Sequence, residues 1–301
     1  MTTLMSDTSV TAVAPYAGVQ PDRIERFGDT VVQHGHLSDR VYLLEAGESP
    51  GNDLALMERL AQRHGYSKLF AKVAGDHART FLDAGFHTEA RVPGGAGELD
   101  LVFCSRFLAP ERAIERFPAE VARTADAEAL TGMAPQSAAP PTTPDGLLQP
   151  RLATPSDAEA LASLYGEVFA SYPFPIHDQR FVRESMADGT TYLLIREEAT
   201  GRVVAAASAE PSCHPRTCEM TDFATVPEKR GLGLAGVLLY ELERHATADG
   251  MRTAYTIARA TSVGMNRVFA RQGYTHAGTL VNNTNIAGRI ESMHVWYRAL
   301  V

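Results

Sequence analysis

The chain has 301 residues, 45% hydrophobic and 21% charged, enough for two globular domains of ordinary composition. Its net charge of −8 argues against nucleic acid or an anionic membrane as partner, but leaves room for a cationic small substrate. Residues 1–20 lack the basic-then-apolar order of a signal peptide, and no apolar run reaches the length of about 18 that a membrane span needs. The three cysteines (Cys104, Cys213, Cys218) carry no metal spacing, so a reduced, cytoplasmic setting is expected.

In chain order, residues 1–20 read as a flexible tail and residues 21–116 as a small α/β domain. There "TVVQHG" and "RVYLLEAG" are strands by their β-branched and aromatic content. "DLALMERLAQRHGY" predicts a helix with Asp53 at its cap and Gly65 at its stop. Strand "KLFAKVAG", helix "DHARTFLDAGF" and strands "HTEARVPG" and "LDLVFCSRFL" follow. "APERAIERFPAEVARTADAEAL" predicts a helix, and "TGMAPQSAAPPTTPDG" a linker, so that 117–146 joins the two domains.

The second domain, 147–301, begins with strand "LLQPRLAT" and a helix opened by Thr154, Pro155 and Asp157. Helix "FVRESMADG" and the hairpin "TYLLIREEATGRVVAAASAEPS" come next, then strand "TCEMTDFATV". An amphipathic helix from Leu234 follows, then strand "TAYTIAR", helix "SVGMNRVFARQGY" and strands "HAGTLVNN" and "MHVWYRAL". "FLDAGFHTEA" (81–90) echoes "FARQGYTHAG" (269–278), so the first domain reads as a degenerate copy of the later half of the second, or as any helix that stops at glycine before a strand. With no second glycine loop, it is expected to be scaffold or dimer surface.

The helix from Leu234 carries Gly231, Gly233 and Gly236 around its first turn, each costing about 1 kcal/mol against alanine inside a helix. A helix N-terminus has unpaired amides and partial positive charge, and glycines there let phosphate oxygens reach the backbone. The lysine of a P-loop is absent. G-L-G-L-A-G has dinucleotide-type spacing, but no βαβ repeat surrounds it and no acidic residue closes the next strand.

"VPEKRGLGLA", with Arg230, Gly233 and Ala235, resembles the R/Q-x-x-G-x-G/A motif of the GCN5-related N-acetyltransferase (GNAT) superfamily, and Asn266 to Tyr274 resembles its second signature. The resemblance implies a mixed central sheet with flanking helices, binding acetyl-CoA between "TCEMTDFATV" and "TAYTIAR". It implies that Ala224, Thr225 and Val226 pair with the pantetheine arm, that Arg230, Gly231, Leu232, Gly233, Leu234, Ala235 and Gly236 hold the pyrophosphate, and that Asn266 and Phe269 touch the cofactor. "EMTDFATVPEKRGLGL", "YTIARATSVGMNRVFARQGY", "GTLVNNTNIAG" with "ESMHVWYR", and "SYPFPI" are together similar to the β-lysine N6-acetyltransferases, which implies β-lysine as acceptor and a compatible solute as product.

A lysine-type amine has a pKa of about 10.4, so deprotonation at pH 7.5 costs ~4 kcal/mol and calls for a base. Glu219 occupies the place of the catalytic glutamate in histone-acetylating members of the superfamily; Asp222 is the second candidate. They point to opposite faces of a regular strand, and a bulge, usual at this strand of the superfamily, would re-aim one. The usual tyrosine acid is Phe269 here, which cannot donate, leaving Tyr255, a water, or departure of the thiolate unprotonated. Acceptor recognition falls to Asn282, Asn283, Asn285, Arg259, Tyr255, Tyr172 and Phe174. The ten histidines show no metal-binding pattern, so no metal is expected; a homodimer is open.

Overall fold

The computed structural model describes residues 22–94, 98–124, 140–212 and 214–300. Thirteen strands form one sheet in the order β1-β2-β3-β4-β6-β5-β12-β13-β11-β10-β9-β8-β7. The first half supplies β1 (Arg23–Phe27), β2 (Thr30–Gly35), β3 (Arg40–Glu45), α1 (Pro50–His64), β4 (Lys68–Ala74), α2 (Gly75–Asp83), β5 (His87–Val92) and β6 (Leu101–Phe107). After a short helix α3 (Pro118–Ala122), the second half supplies β7 (Arg151–Leu152), α4 (Ala158–Val168), α5 (Gln179–Ala187), β8 (Thr191–Arg196), β9 (Val203–Pro211), β10 (Thr217–Thr225), α6 (Leu234–Ala248), β11 (Thr253–Arg259), α7 (Val263–Arg271), β12 (Thr275–Ile286) and β13 (Arg289–Ala299). Among the described residues no helix is long and apolar enough to cross a membrane.

Each half contains one parallel pair, β3/β4 joined by α1 and β10/β11 joined by α6, followed by a helix and an antiparallel pair. Strand order β1-β2-β3-β4-β6-β5 is thus repeated as β8-β9-β10-β11-β13-β12. The halves meet where β5 pairs antiparallel with β12 through Ala90 and Gly278. These two residues close the two echoing segments, and equivalent positions facing each other are what a local two-fold axis requires. Phe81–Phe86 and Phe269–Tyr274 both pack edge to face at 5.3 Å around left-handed glycines Gly85 and Gly273.

Period-two alternation assigns the faces. In the first half Val41, Leu43, Leu69, Ala71 and Val73 join the core under α1 and α2, while Tyr42 and Phe70 join Phe103, Tyr255, Leu280 and Met293 in a separate core on the other face. That separate core draws on both halves, so the sheet curves around it. Strand β9 is buried on both faces through Ala209, as its contacts with both α4 and α6 require.

Three expectations change. α1 starts at Pro50 with Ser49 as cap, so Asp53 lies inside the first turn. The stretch predicted as one helix from 109 is a 3-10 turn at Pro110–Ala113 and then α3, because Pro118 interrupts it; residues 125–130 lie outside the described residues, as does the Pro-rich 131–139. The strand predicted as "HAGTLVNN" runs on to Ile286 as β12, and the turn falls at Ala287 and Gly288.

Strand β12 is bulged between Leu280 and Thr284, which detaches its backbone from β13. Side chains of the first half satisfy the freed groups. Lys68 donates to the Val281 carbonyl (2.8 Å) and Glu89 accepts from the Val281 amide (2.8 Å). Arg112 donates to the Asn282 carbonyl (2.9 Å) and Arg40 to that of Asn283 (2.7 Å).

Candidate active site

Strands β10 and β11 are paired only over Thr217–Glu219 and Thr253–Tyr255, although both run on to Thr225 and Arg259. The gap begins at Glu219 and Tyr255. Beside it β10 shifts register against β9 between Thr221 and Ala224, and Asp222 takes a left-handed conformation (φ 55°). The extra residue brings Asp222 to the same cavity as Glu219, which a regular strand forbids.

Glu219 is 15% exposed, accepts from the Tyr255 hydroxyl and lies 3.8 Å from the Lys72 ammonium. Lys72 also donates to Tyr255 (2.9 Å). Burial holds the Glu219 acid above the usual carboxylate range; the Lys72 charge and the Tyr255 hydrogen bond pull it back, and Asp222 pushes it up. Asp222 accepts from Tyr172 (2.7 Å) and Ser208 (2.7 Å), one per carboxylate oxygen, and burial raises its pKa against both. Glu210, an exposed residue that also lines the cavity, is pushed up to about 7 by desolvation first and by the charge of Glu219 second.

The cavity measures about 800 Å³ and is walled by both halves. β3 and β4 contribute Arg40, Tyr42, Phe70 and Lys72; the second half contributes Glu210, Glu219, Asp222, Tyr255 and Asn283, with Tyr172, Phe174 and Ile176 from the segment between α4 and α5. The first half is therefore part of the site wall as well as scaffold.

On the other side of the gap, Gly231 (φ 82°) and Gly233 (φ 78°) are left-handed, and nothing lies within 4 Å of where a Cβ would stand. The glycines serve conformation and approach, not packing. The amides of Leu232, Gly233, Leu234 and Ala235 find no acceptor among the described residues, whereas those of Gly236 and Val237 bond to the Gly233 carbonyl. The Val226 amide is committed to Val204 (3.0 Å), so alternation turns Ala224 toward β9 as well and Thr225 toward the gap. Arg230 closes on the Thr225 carbonyl at 3.3 Å.

The sequence pattern of the Acetyltransferase (GNAT) family matches residues 158–274. The β-lysine N(6)-acetyltransferase of Methanococcus maripaludis is 35% identical over 277 residues, covering 92% of this chain and 98% of that protein. That of Methanosarcina mazei is 38% identical over 150 residues, covering 50% of this chain and 55% of its own. The chain belongs to the β-lysine N(6)-acetyltransferase family of GNAT acetyltransferases. Among solved structures, a ribosomal-protein-alanine N-acetyltransferase from Brucella melitensis aligns with 51% of this chain and 100% of its own at 22% identity and a TM-score of 0.43.

GNAT enzymes use acetyl-CoA, and the residues of this GNAT chain fit it: open amides and left-handed glycines at the start of α6 suit a pyrophosphate, and the Thr225 edge suits an extended amide arm. Other site expectations are corrected. Asn266 is fully buried; its amide donates to the carbonyls of Arg259 (2.9 Å) and Ser262 (2.8 Å) and its oxygen meets Trp296 Nε1 (2.8 Å) and His294 Nδ1 (3.2 Å). All four of its bonding positions are used, so it clamps the β11–α7 turn instead of touching cofactor. Phe269 is a core residue packed on Phe223 and Tyr274. Ala224 and Val226 turn their backbone to β9, so of the three residues expected to pair with the pantetheine arm only Thr225 faces the gap.

Arg259 forms a two-pronged pair with Glu291 (3.0 and 2.8 Å), whose carboxylate also takes Thr261 and Arg289. It does not line the cavity. Asn282 ties the carbonyls of Arg112 and Ile114, and Asn285 accepts from Ser171, so both join segments of the chain. Asn283, Tyr172, Phe174 and Tyr255 do line the cavity. Lys72, Arg40 and Glu210 were missed. Lys68 and Lys72 flank Phe70 on one face of β4 while Leu69, Ala71 and Val73 serve the helix face, an alternation that marks a partly charged second face.

Proposed function

We propose that the chain transfers the acetyl group of acetyl-CoA to the terminal N6 amine of β-lysine in the cytosol, giving a compatible solute. Full-length similarity to the Methanococcus maripaludis enzyme supports the substrate. The observation that carries the chemistry is the carboxylate end of the cavity, where Glu219, hydrogen-bonded to Tyr255 and 3.8 Å from Lys72, faces the gap between β10 and β11. Acetyl-CoA supplies the acetyl group as an activated thioester. Glu219 takes the proton of the acceptor ammonium, Tyr255 orients Glu219, and the Lys72 charge favours its ionised form against the pull of burial. Asp222 has both oxygens engaged and holds Tyr172 in the wall. Thr225 pairs with the pantetheine arm, and the amides of Gly231–Ala235 take the pyrophosphate. Residues 21–116 are read as a degenerate GNAT half and 147–301 as the catalytic domain; a second copy of the chain would pair through the open edge strands β1 or β7. The test is acetylation, with acetyl-CoA, of β-lysine, α-lysine and spermidine. β-Lysine is expected to be fastest, and equal kcat/KM on spermidine overturns the substrate.

A further inference from the structure

We propose that Arg40 and Asn283 form a head-group site for the acceptor, Arg40 binding its carboxylate and Asn283 the neighbouring ammonium. This rests on the reading that the acceptor is an amino acid with a distal amine. Arg40 belongs to the first half, which lacks the glycine loop, and it is 2% exposed. Its guanidinium donates to the Asn283 carbonyl (2.7 Å), Thr284 Oγ1 (2.9 Å) and Gln33 Oε1 (3.2 Å), all neutral, and lies over the rings of Tyr42 (4.9 Å) and Phe70 (5.6 Å). No carboxylate forms an ion pair with it among the described residues. Its Nε is buried without a partner. Asp22 and Glu89 act on it only through their charge, without hydrogen bonds, and a buried cation with an unused donor gains from an anion that binds it directly.

The neighbouring Asn283 is 1% exposed, and its Oδ1 is likewise buried without a partner. Both residues line the cavity. One leftover donor on a cation and one leftover acceptor, on residues already hydrogen-bonded to each other, match the two charges of an amino-acid head group. Arg40 is in register with Lys68, and Lys72 stands four residues further along β4 on the same face, about 13 Å at 3.3 Å per residue. Less the reach of the side chains, that span suits an extended lysine-type chain with its head at Arg40 and its distal amine at Glu219.

The test compares β-lysine with two truncated acceptors: 1,4-diaminopentane, which lacks the carboxylate, and 6-aminohexanoate, which lacks the second amine. Arg40→Gln should lower kcat/KM on β-lysine and 6-aminohexanoate on the order of 10- to 100-fold and leave 1,4-diaminopentane within about threefold. Asn283→Ala should weaken β-lysine and 1,4-diaminopentane more than 6-aminohexanoate. Equal loss on all three acceptors, or retained preference for carboxylate-bearing ones in Arg40→Gln, overturns the proposal. If Arg40→Gln does not fold, Arg40→Lys replaces it: it keeps the charge but loses the fork, and an unchanged preference for β-lysine over 1,4-diaminopentane in it overturns the assignment. Failure of the acceptor reading looks different: the wild type itself then prefers 1,4-diaminopentane or spermidine to β-lysine.

Discussion

Helices α1 and α6 hold the same place in two halves of the same strand order, yet their N-termini have opposite fates. At α6 the approach passes through left-handed Gly231 and Gly233 and leaves amides free to bind. In the loop that leads into α1 the chain's own carboxylates take the amides. The buried Asp53 carboxylate accepts from the Thr30 hydroxyl (2.5 Å) and the Gly47 amide (3.0 Å), and Asp29 takes the Glu48 amide (2.7 Å). A loop before a helix can receive a phosphate only where no internal carboxylate already holds its amides. The first half has no such open loop, and its other face lines the cavity.

The largest expected effect separates the halves by chemistry. Glu219→Gln should reduce kcat/KM at pH 7.5 by roughly 10²–10⁴-fold. The loss should shrink at pH 9.5, where more of the amine is already neutral. Because burial raises the Glu219 pKa, wild-type activity should fall as pH drops through that raised value, and the Gln variant should lack this acidic limb in an initial-rate profile. An unchanged rate removes Glu219 as base.

Next, Gly233→Val forces a β-branched residue into a left-handed position and fills the phosphate approach. Acetyl-CoA affinity should drop on the order of 100-fold by calorimetry, while Gly51→Ala in the first turn of α1 leaves it unchanged. An equal effect from both would erase the contrast between the helix ends.

The join between halves is tested by Gly278→Ala. A Cβ there meets the Glu89 carbonyl and the Ala90 backbone. Urea unfolding should show a loss of about 2–4 kcal/mol. The smallest effect concerns Glu210. Its folded pKa of about 7 lies above the ordinary 4.5, so its contribution is intact below 4.5 and is lost as pH rises toward 7, the unfolded carboxyl ionising first. Glu210→Gln should therefore melt higher than wild type at pH 8 and equally at pH 4.5.

Much of the second half was legible because its signals are local. The α6 boundary at Leu234 and the glycine loop each follow from a few consecutive residues whose backbone preferences leave little choice, while the β10 bulge was legible only through the family resemblance. "VNNTN" misled because asparagine carries donors and acceptors that serve a ligand or the chain itself equally well, and here Asn282 binds the Arg112 carbonyl and Asn285 the Ser171 hydroxyl, both in distant segments. Arg259 misled because its partner, Glu291, comes 32 residues later.

The sequence by itself determined the class of fold and the glycine turn before α6, since periodicity, glycine φ freedom and a short motif act over ten residues or fewer. Only the tertiary structure decided that one sheet runs through both halves and that Arg40 and Lys72 face Asn283, Tyr255 and Glu219. The residues that pair across the cavity stand 183 and 243 positions apart in the chain, and no local preference records which two strands a curved sheet will bring together.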